Sequence, residues 1–306
     1  MNELEAAQNE AVELLKSSDE YRVIQRLHAP NCYQQGEPLT KRIGLVIDTE
    51  TTGIDTAKDK IIELGFVAFE YDAGSGNIYR ILHTYDGFED PKESLSDVVK
   101  KLTGIDDRML KDQCLDDAEI NSWLEKSSLI IAHNAAFDRA MLERRLPTVK
   151  DTAWACTFAD IDWQTEDIGS RKLDYIAYQL GYFFDGHRAV NDAQATLHLL
   201  TYALPVTKKL AMGELLASAR EKSQRLFAIG APFDKKDALK ERGYRWLAGF
   251  HQPNGKKGVW SICIADSDAA AEQQWLSEHI YTGKKATYQC KKLTARERYS
   301  IREFEL

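Results

Sequence analysis

Asp48 and Glu50 stand two residues apart in Val46-Ile47-Asp48-Thr49-Glu50-Thr51-Thr52-Gly53, at the end of an apolar run. In an extended chain that spacing puts both side chains on one face. Two carboxylates so placed repel each other, and taking them out of water is costly unless a counter-charge arrives. A divalent cation is such a counter-charge, and hard Mg²⁺ prefers carboxylate oxygen. The segment also reads as a strand passing into an acidic turn at Gly53, because Asp-x-Glu is common.

A second segment, Ile130-Ile131-Ala132-His133-Asn134-Ala135-Ala136-Phe137-Asp138, ends a strand at His133-Asn134 and places Asp138 in the first turn of a helix. There Asp138 also complements the positive helix N-terminus without any further role. In the third, His187-Arg188-Ala189-Val190-Asn191-Asp192, an offset of five does not stack His187 and Asp192 on one helix face. His187 therefore belongs to the loop before a helix and Asp192 to its first turn, with Asn191 a candidate cap. A loop histidine beside a metal-binding carboxylate is a candidate general base. Each segment alone has a structural reading. Together they place four carboxylates and one histidine on strand ends and helix starts of one region. That set suits phosphodiester hydrolysis with two cations, which clamp the scissile phosphate, generate hydroxide and stabilise the leaving oxygen.

These groups need a scaffold. Ile43–Ile47, Lys60–Tyr71 and Asn77–Tyr85 read as a three-strand meander with a turn at 72–77. Short helices broken at Gly104 and near Cys114 are expected over residues 95–126. Strands at Ser128–Ala132 and Thr152–Phe158 alternate with helices at Ala135–Arg145, Lys172–Leu180 and Asn191–Tyr202. Such alternation predicts a mixed α/β sheet. Residues 3–27 are expected to be helical, with a break near Ser17-Ser18-Asp19. A charged helix over 207–224 is expected to connect to a compact β-α-β-β-α-β unit. Its strands fall near Leu226–Gly230, Tyr244–Leu247, Val259–Ala265 and Lys285–Lys292. Its helices fall near Lys235–Arg242 and Asp268–His279. The domain reading is therefore an N-terminal extension (1–40), a main α/β domain (41–205), a connecting helix (206–224) and a smaller α+β domain (225–306).

Composition agrees with a folded chain. Of 306 residues, 43% are hydrophobic and 29% charged, which argues against disorder. No apolar run approaches the roughly 18 residues of a membrane span. The acidic start Met1-Asn2-Glu3-Leu4-Glu5 does not read as a signal peptide, so a cytoplasmic location without a membrane partner is expected. Cys32, Cys114, Cys156, Cys263 and Cys290 are odd in number and scattered, which excludes a disulfide framework and a CxxC zinc site. The formal charge of −8 argues against a nucleic-acid partner at first sight. It is unevenly spread. Residues 225–306 hold 15 Lys/Arg and 10 Asp/Glu, a net of +5, leaving −13 for residues 1–224.

The basic unit carries bases among aromatics from Ala231 to Trp246 and on through Lys256, Lys257 and Trp260. Such mixtures suit single-stranded nucleic acid, through phosphate contacts and base stacking. Trp246 and Trp260, on apolar strands, read as core, as do Trp154, Trp163 and Phe137. Deleting residues 225–306 is expected to weaken strand binding while sparing cleavage of very short substrates. Ser223-Gln224-Arg225-Leu226-Phe227 has a poor spacing for a sliding-clamp peptide and reads as a strand start, so polymerase or clamp association has no support.

The three chemical segments resemble the exonuclease motifs of the DEDD superfamily, His-containing branch, which includes proofreading subunits of bacterial DNA polymerase III, ribonuclease T and oligoribonuclease. The resemblance covers about residues 41–204 and includes Leu102-Thr103-Gly104-Ile105. It implies a ribonuclease H-like fold. It implies two Mg²⁺ or Mn²⁺ ions held by Asp48, Glu50 and Asp192, with Asp48 bridging and Asp138 supporting the second. It implies His187 as the base that deprotonates water, and Thr51, Thr52, Gly53, His133 and Asn134 as the substrate-binding set. The function implied is removal of nucleoside 5′-monophosphates from the 3′ end of DNA. Trimming of RNA is an alternative, since recognition of the 2′-hydroxyl is not encoded in the motifs. A non-catalytic adaptor is a further alternative, against which the complete acid set argues. The basic unit resembles tail domains attached to some bacterial exonucleases of this kind.

Overall fold

Ile61–Asp72 is a mainly apolar strand that carries Glu63, Glu70 and Asp72, and all twelve of its residues are buried. A strand buried on both faces must lie inside a sheet with a layer on either side. The computed structural model, which describes residues 3–283 and 285–306, shows that arrangement. Strands β1 (Lys41–Thr51), β2 (Ile61–Asp72) and β3 (Ile78–Phe88) form an antiparallel meander. Strands β4 (Leu129–Ala132) and β5 (Trp154–Cys156) add in parallel beyond β1, giving the order β3-β2-β1-β4-β5. Met1, Asn2 and Lys284 fall outside the described residues.

Alternation along β1 divides the core. Leu45 and Ile47 pack with Leu64 and Phe66 against helix α2 (Ala135–Arg145), through Met141 and Leu142. Val46 packs with Val67 and Phe69 on the opposite side, against helix α3 (Ala189–Leu199) through Ala193 and Leu197. The two layers therefore reach the sheet from opposite faces at the strand end where the acids lie.

Three expectations change. The N-terminal helix α1 (Glu3–Lys16) ends at Lys16, not near 27. Ser17 folds its hydroxyl back onto the Leu14 carbonyl, a local bond that competes with helix continuation. Gln25–Arg26 then pairs in parallel with Tyr182–Phe183. The expected connector is also different. Only Ala211–Arg220 is helical, and Ala211, Met212, Leu215, Leu216 and Ala219 are buried in the first core. Apart from Glu214, which pairs with Lys209, its charges sit at the ends of an apolar middle, so the segment is a core helix and not a solvated link.

The third change concerns the basic unit. Strands β6 (Ser223–Ala228), β7 (Arg245–His251), β8 (Lys257–Ala265) and β9 (Gln289–Leu293) form an antiparallel sheet in the order β9-β6-β8-β7. Helices Lys236–Glu241 and Ala269–Trp275 accompany it, as expected. Trp154 and Trp163 are fully buried, but Trp246 is 50% exposed, against its core reading. It lies on an edge strand, which has a neighbouring strand on one side only.

After β9 the chain returns to the first sheet. The Trp154 amide donates to the Ala295 carbonyl, at 2.8 Å, so the tail covers the edge at β5. Arg139 of α2 is completely buried; it pairs with Glu143 at 2.8 Å and donates to the carbonyls of Arg298 (2.8 Å) and Arg296 (2.5 Å). Ser300 donates to Glu143 at 2.7 Å. On the other side, Arg225 of β6 pairs with Glu303 at 2.9 Å and lies over the Phe304 ring. Deleting residues 225–306 therefore does not spare the first sheet, because it strips the buried Arg139 of the Arg296 and Arg298 carbonyls and leaves it only the Lys150 carbonyl at 3.2 Å. Replacing Arg139 by Met is expected to cost about 3–5 kcal/mol, since Glu143 stays buried with a weakened counter-charge. Urea unfolding measures this, and a cost below about 1 kcal/mol would show that the tail is held by other contacts.

Candidate active site

One oxygen each from Asp48, Glu50 and Asp192 lie within 4.8 Å of one another. The ladder explains the first two, because Asp48 and Glu50 share the face of β1 that α3 covers. The first turn of α3 brings Asp192 to them. The electrostatic consequence is large. Burial, reinforced by the neighbouring acids, holds Asp48 well above the usual carboxylate range. Burial and the charges of Asp192, Glu63 and Asp138 push Glu50 up to about 8. Asp192 is pushed up to about 6, again mainly by burial, against hydrogen bonds from the Arg188 and His187 backbone. Among the described residues no other trio of potential ligands comes so close. Clustered acids that resist ionisation fit a hard divalent cation.

Asp138 stands outside that trio. Its Oδ1 accepts from the Thr49 amide at 3.0 Å and the Thr49 hydroxyl at 2.8 Å. Burial pushes it up to about 7, although the two Thr49 donors act the other way. It remains close enough for its charge to raise Asp48 and Glu50. The middle residue of Asp48-Thr49-Glu50 thus points to α2 and ties down the fourth acid.

Two residues that position Asp192 were not singled out from the sequence. Arg188, not Asn191, occupies the cap position of α3, and it supplies no side-chain cap. Glu63, opposite Glu50 in the β1–β2 ladder, does that work from the sheet. It accepts from the Ala189 amide at 3.0 Å and from Arg188 Nε at 2.8 Å while fully buried. The signal was an acid inside the apolar run Ile61-Ile62-Glu63-Leu64. Gly65 is the second. A Cβ there would lie 2.2 Å from the Val190 nitrogen and 2.3 Å from the Ala189 carbonyl carbon, so only glycine admits α3. Replacing Glu63 by Leu is expected to cost about 1–3 kcal/mol, leaving the Ala189 amide unsatisfied. Thermal unfolding of Glu63→Leu beside Glu63→Gln checks this, and equal stability would contradict it.

His187 is exposed, in the left-handed region at φ 63°, in the loop before α3. With Asp192, His133, Asn134 and Phe158 it lines a cleft of about 420 Å³. Asn134, also left-handed at φ 70°, is exposed at the start of α2. Both His133 nitrogens are engaged, with Thr157 Oγ1 and the Arg171 carbonyl at 2.8 Å each. Burial pushes its imidazole down to about 4, so the ring is neutral. Nε2 must donate to the carbonyl, and Nδ1 then accepts from Thr157. The side chain therefore braces the cleft and has no free donor or acceptor. Thr51 donates to the Gly53 carbonyl at 2.5 Å and Thr52 to Asp59 at 3.3 Å. A Cβ at Gly53 would meet Asp59 at 2.5 Å, so the loop after Glu50 closes on itself.

Residues 45–200, half of the chain, match the Exonuclease family. The chain belongs to that family. The exonuclease has the ribonuclease H-like fold that its sequence resemblance implied. It is similar to DNA polymerase III PolC-type of Caldanaerobacter subterraneus, with 32% identity over 165 residues, 51% of this chain and 11% of that protein. Against the same polymerase of Clostridium perfringens the identity is 30% over 171 residues, 54% and 11%. The exonuclease thus spans about a tenth of the length of these relatives. Among solved structures, Escherichia coli Exonuclease I with a 5cy-dT13 oligonucleotide matches 86% of this chain and 66% of its own, at 17% identity and a TM-score of 0.47. Exonuclease X with 5′-overhanging duplex DNA matches 57% and 90%, at 20% identity and a TM-score of 0.40. No helix among the described residues is long and apolar enough to cross a membrane.

Proposed function

We propose that this exonuclease removes nucleotides from the 3′ end of single-stranded or frayed DNA and releases nucleoside 5′-monophosphates. The observation that carries the reading is the Asp48–Glu50–Asp192 cluster, with His187 on the adjoining cleft. These three carboxylates, supported by Asp138, would hold two divalent cations, Mg²⁺ or Mn²⁺. When bound, the cations supply activation of water and neutralisation of the leaving oxygen.

The chain's own residues do the rest. His187 accepts the proton of the attacking water, and its exposed loop lets it reach the site and return the proton to solvent. Water oxygen bonds to phosphorus, the bond to the upstream 3′ oxygen breaks, and that oxygen is left as a hydroxyl after protonation. Glu63 and Gly65 keep Asp192 in place. The loop of Thr51, Thr52 and Gly53, with Asn134, receives the terminal nucleotide, and His133 braces it. The matched relatives are DNA polymerases by name, which favours DNA. The test compares matched DNA and RNA single strands with the products identified by mass. Nucleoside 5′-monophosphates released faster from DNA support the reading. Faster release from RNA would reassign the substrate, and nucleoside 3′-monophosphates would overturn the chemistry.

A further inference from the structure

From Arg242 to Ala265 the chain carries no carboxylate side chain, in a protein whose formal charge is −8. This stretch contains the β7–β8 hairpin, and β7 is an edge of the second sheet. Arg245, Lys256 and Lys257 are exposed there, and none of the three makes an ion pair among the described residues. Other cations of the same unit are neutralised, Arg225 by Glu303, Arg242 by Glu272 and Arg298 by Asp160. The hairpin therefore keeps uncompensated positive charge on an acidic protein.

An aromatic ring is fixed on the same hairpin, next in sequence to Arg245. Trp246 pairs with Trp260 across the ladder, with ring centroids 5.5 Å apart and an edge-on contact. A Cβ at Gly258, which has φ +81°, would lie 2.1 Å from the indole. Glycine thus lets the ring rest against the hairpin backbone, held on one side and open on the other. Beside it lies a cleft of about 700 Å³ that includes Phe250, Ile301 and Glu305. A second cleft, of about 460 Å³, begins at the same Ile301 and Glu305 and extends to Thr56 and Ala57. Those two residues belong to the loop that leaves Thr51-Thr52-Gly53. The surface is therefore continuous from the exposed tryptophan to the loop beside the carboxylate cluster.

We propose that the β7–β8 hairpin is a second contact for the substrate strand: a single-stranded nucleic acid whose phosphates lie on Arg245, Lys256 and Lys257 and one of whose bases stacks on Trp246. This rests on the proposed function and adds to it a site remote from the scissile bond. Cations that track phosphates and an aromatic face that accepts any base are the two parts of a strand-binding surface without sequence preference. Glu305, on the path between the clefts, opposes phosphate, so its neutralisation tightens binding.

The experiment uses the full chain. Binding of a fluorescent DNA single strand of about 20 nucleotides is measured in chelator over a range of salt, and cleavage of that strand and of a dinucleotide is measured with Mg²⁺. Trp246→Ala is expected to weaken strand binding about tenfold, and Trp246→Phe to recover most of it. The combined Arg245→Gln, Lys256→Gln and Lys257→Gln variant is expected to lower the slope of log affinity against log salt by about 2. Glu305→Gln is expected to tighten binding, and dinucleotide cleavage to stay at the wild-type rate in all four. If Trp246→Ala loses dinucleotide cleavage and so its fold, the charge variant, altered only at exposed side chains, decides. Wild-type strand affinity and salt slope in the charge variant would overturn the proposal. Failure of the wild type to cleave any strand would instead overturn the parent reading, while binding in chelator still tests the hairpin.

Discussion

Asp48→Asn is expected to abolish cleavage and at the same time to make the metal-free protein more stable. Both effects follow from one carboxylate surrounded by Glu50, Asp192 and Asp138. Removing its charge removes a ligand from the cluster, and a loss of about 4 kcal/mol of transition-state stabilisation is about a thousandfold in rate. Removing it also relieves repulsion among acids that burial already disfavours. The pH dependence has a definite sign. Glu50 has an ordinary value of 4.5 and is pushed up to about 8, Asp138 to about 7 and Asp192 to about 6. Between those limits the unfolded chain has lost protons that the folded chain retains, so stability falls as pH rises. In chelator the melting temperature is expected to be highest below pH 3.8, the ordinary value of the aspartates, as far as this cluster is concerned, and to decline to about pH 8. Mg²⁺ reverses the decline, by binding the folded state. Asp48→Asn flattens the decline and loses most of the Mg²⁺ response. A melting temperature that rises over this window in chelator would contradict the account.

Gly65→Ala is expected to lower activity about a hundredfold or more without touching an acid, because displacement of a catalytic group by about 1 Å has that effect. The methyl group has nowhere to go, since the obstructing atoms are the Val190 nitrogen and the Ala189 carbonyl carbon, which are backbone. The start of α3 must move, and Asp192 moves with it. Glu63 then loses its bond to the Ala189 amide. The variant is expected to melt at lower temperature and to show a smaller Mg²⁺-induced rise. A steady-state comparison on one single strand, with melting curves in chelator and in Mg²⁺, checks it. Wild-type kcat would show that α3 is held elsewhere.

The places of the four acids and His187 in the fold were legible because each of these groups sits where a periodic element stops. Asp48 and Glu50 end an apolar strand, and Asp138 and Asp192 open helices, so pattern and chemistry pointed to the same places. What positions them was less legible. Glu63 caps a helix 126 residues away through a tertiary bond, and no local cap rule reaches that far. Gly65 reads from sequence as one more glycine in a strand. The tail was missed for a similar reason. Arg139 and Glu143 are an ordinary i, i+4 pair on paper, and only the fold shows them buried under Arg296, Arg298 and Ser300. Trp246 was misjudged because strand alternation does not say which strand will be the edge.

The most direct test is a single strand labelled at its 5′ end and incubated with the purified protein. With Mg²⁺ a ladder of 5′-labelled fragments is expected that shorten progressively from the 3′ end. Chelator stops the ladder, added Mg²⁺ restores it, and Asp48→Asn does not produce it. Early appearance of a labelled mononucleotide, or cleavage that continues in chelator, would contradict metal-dependent degradation from the 3′ end.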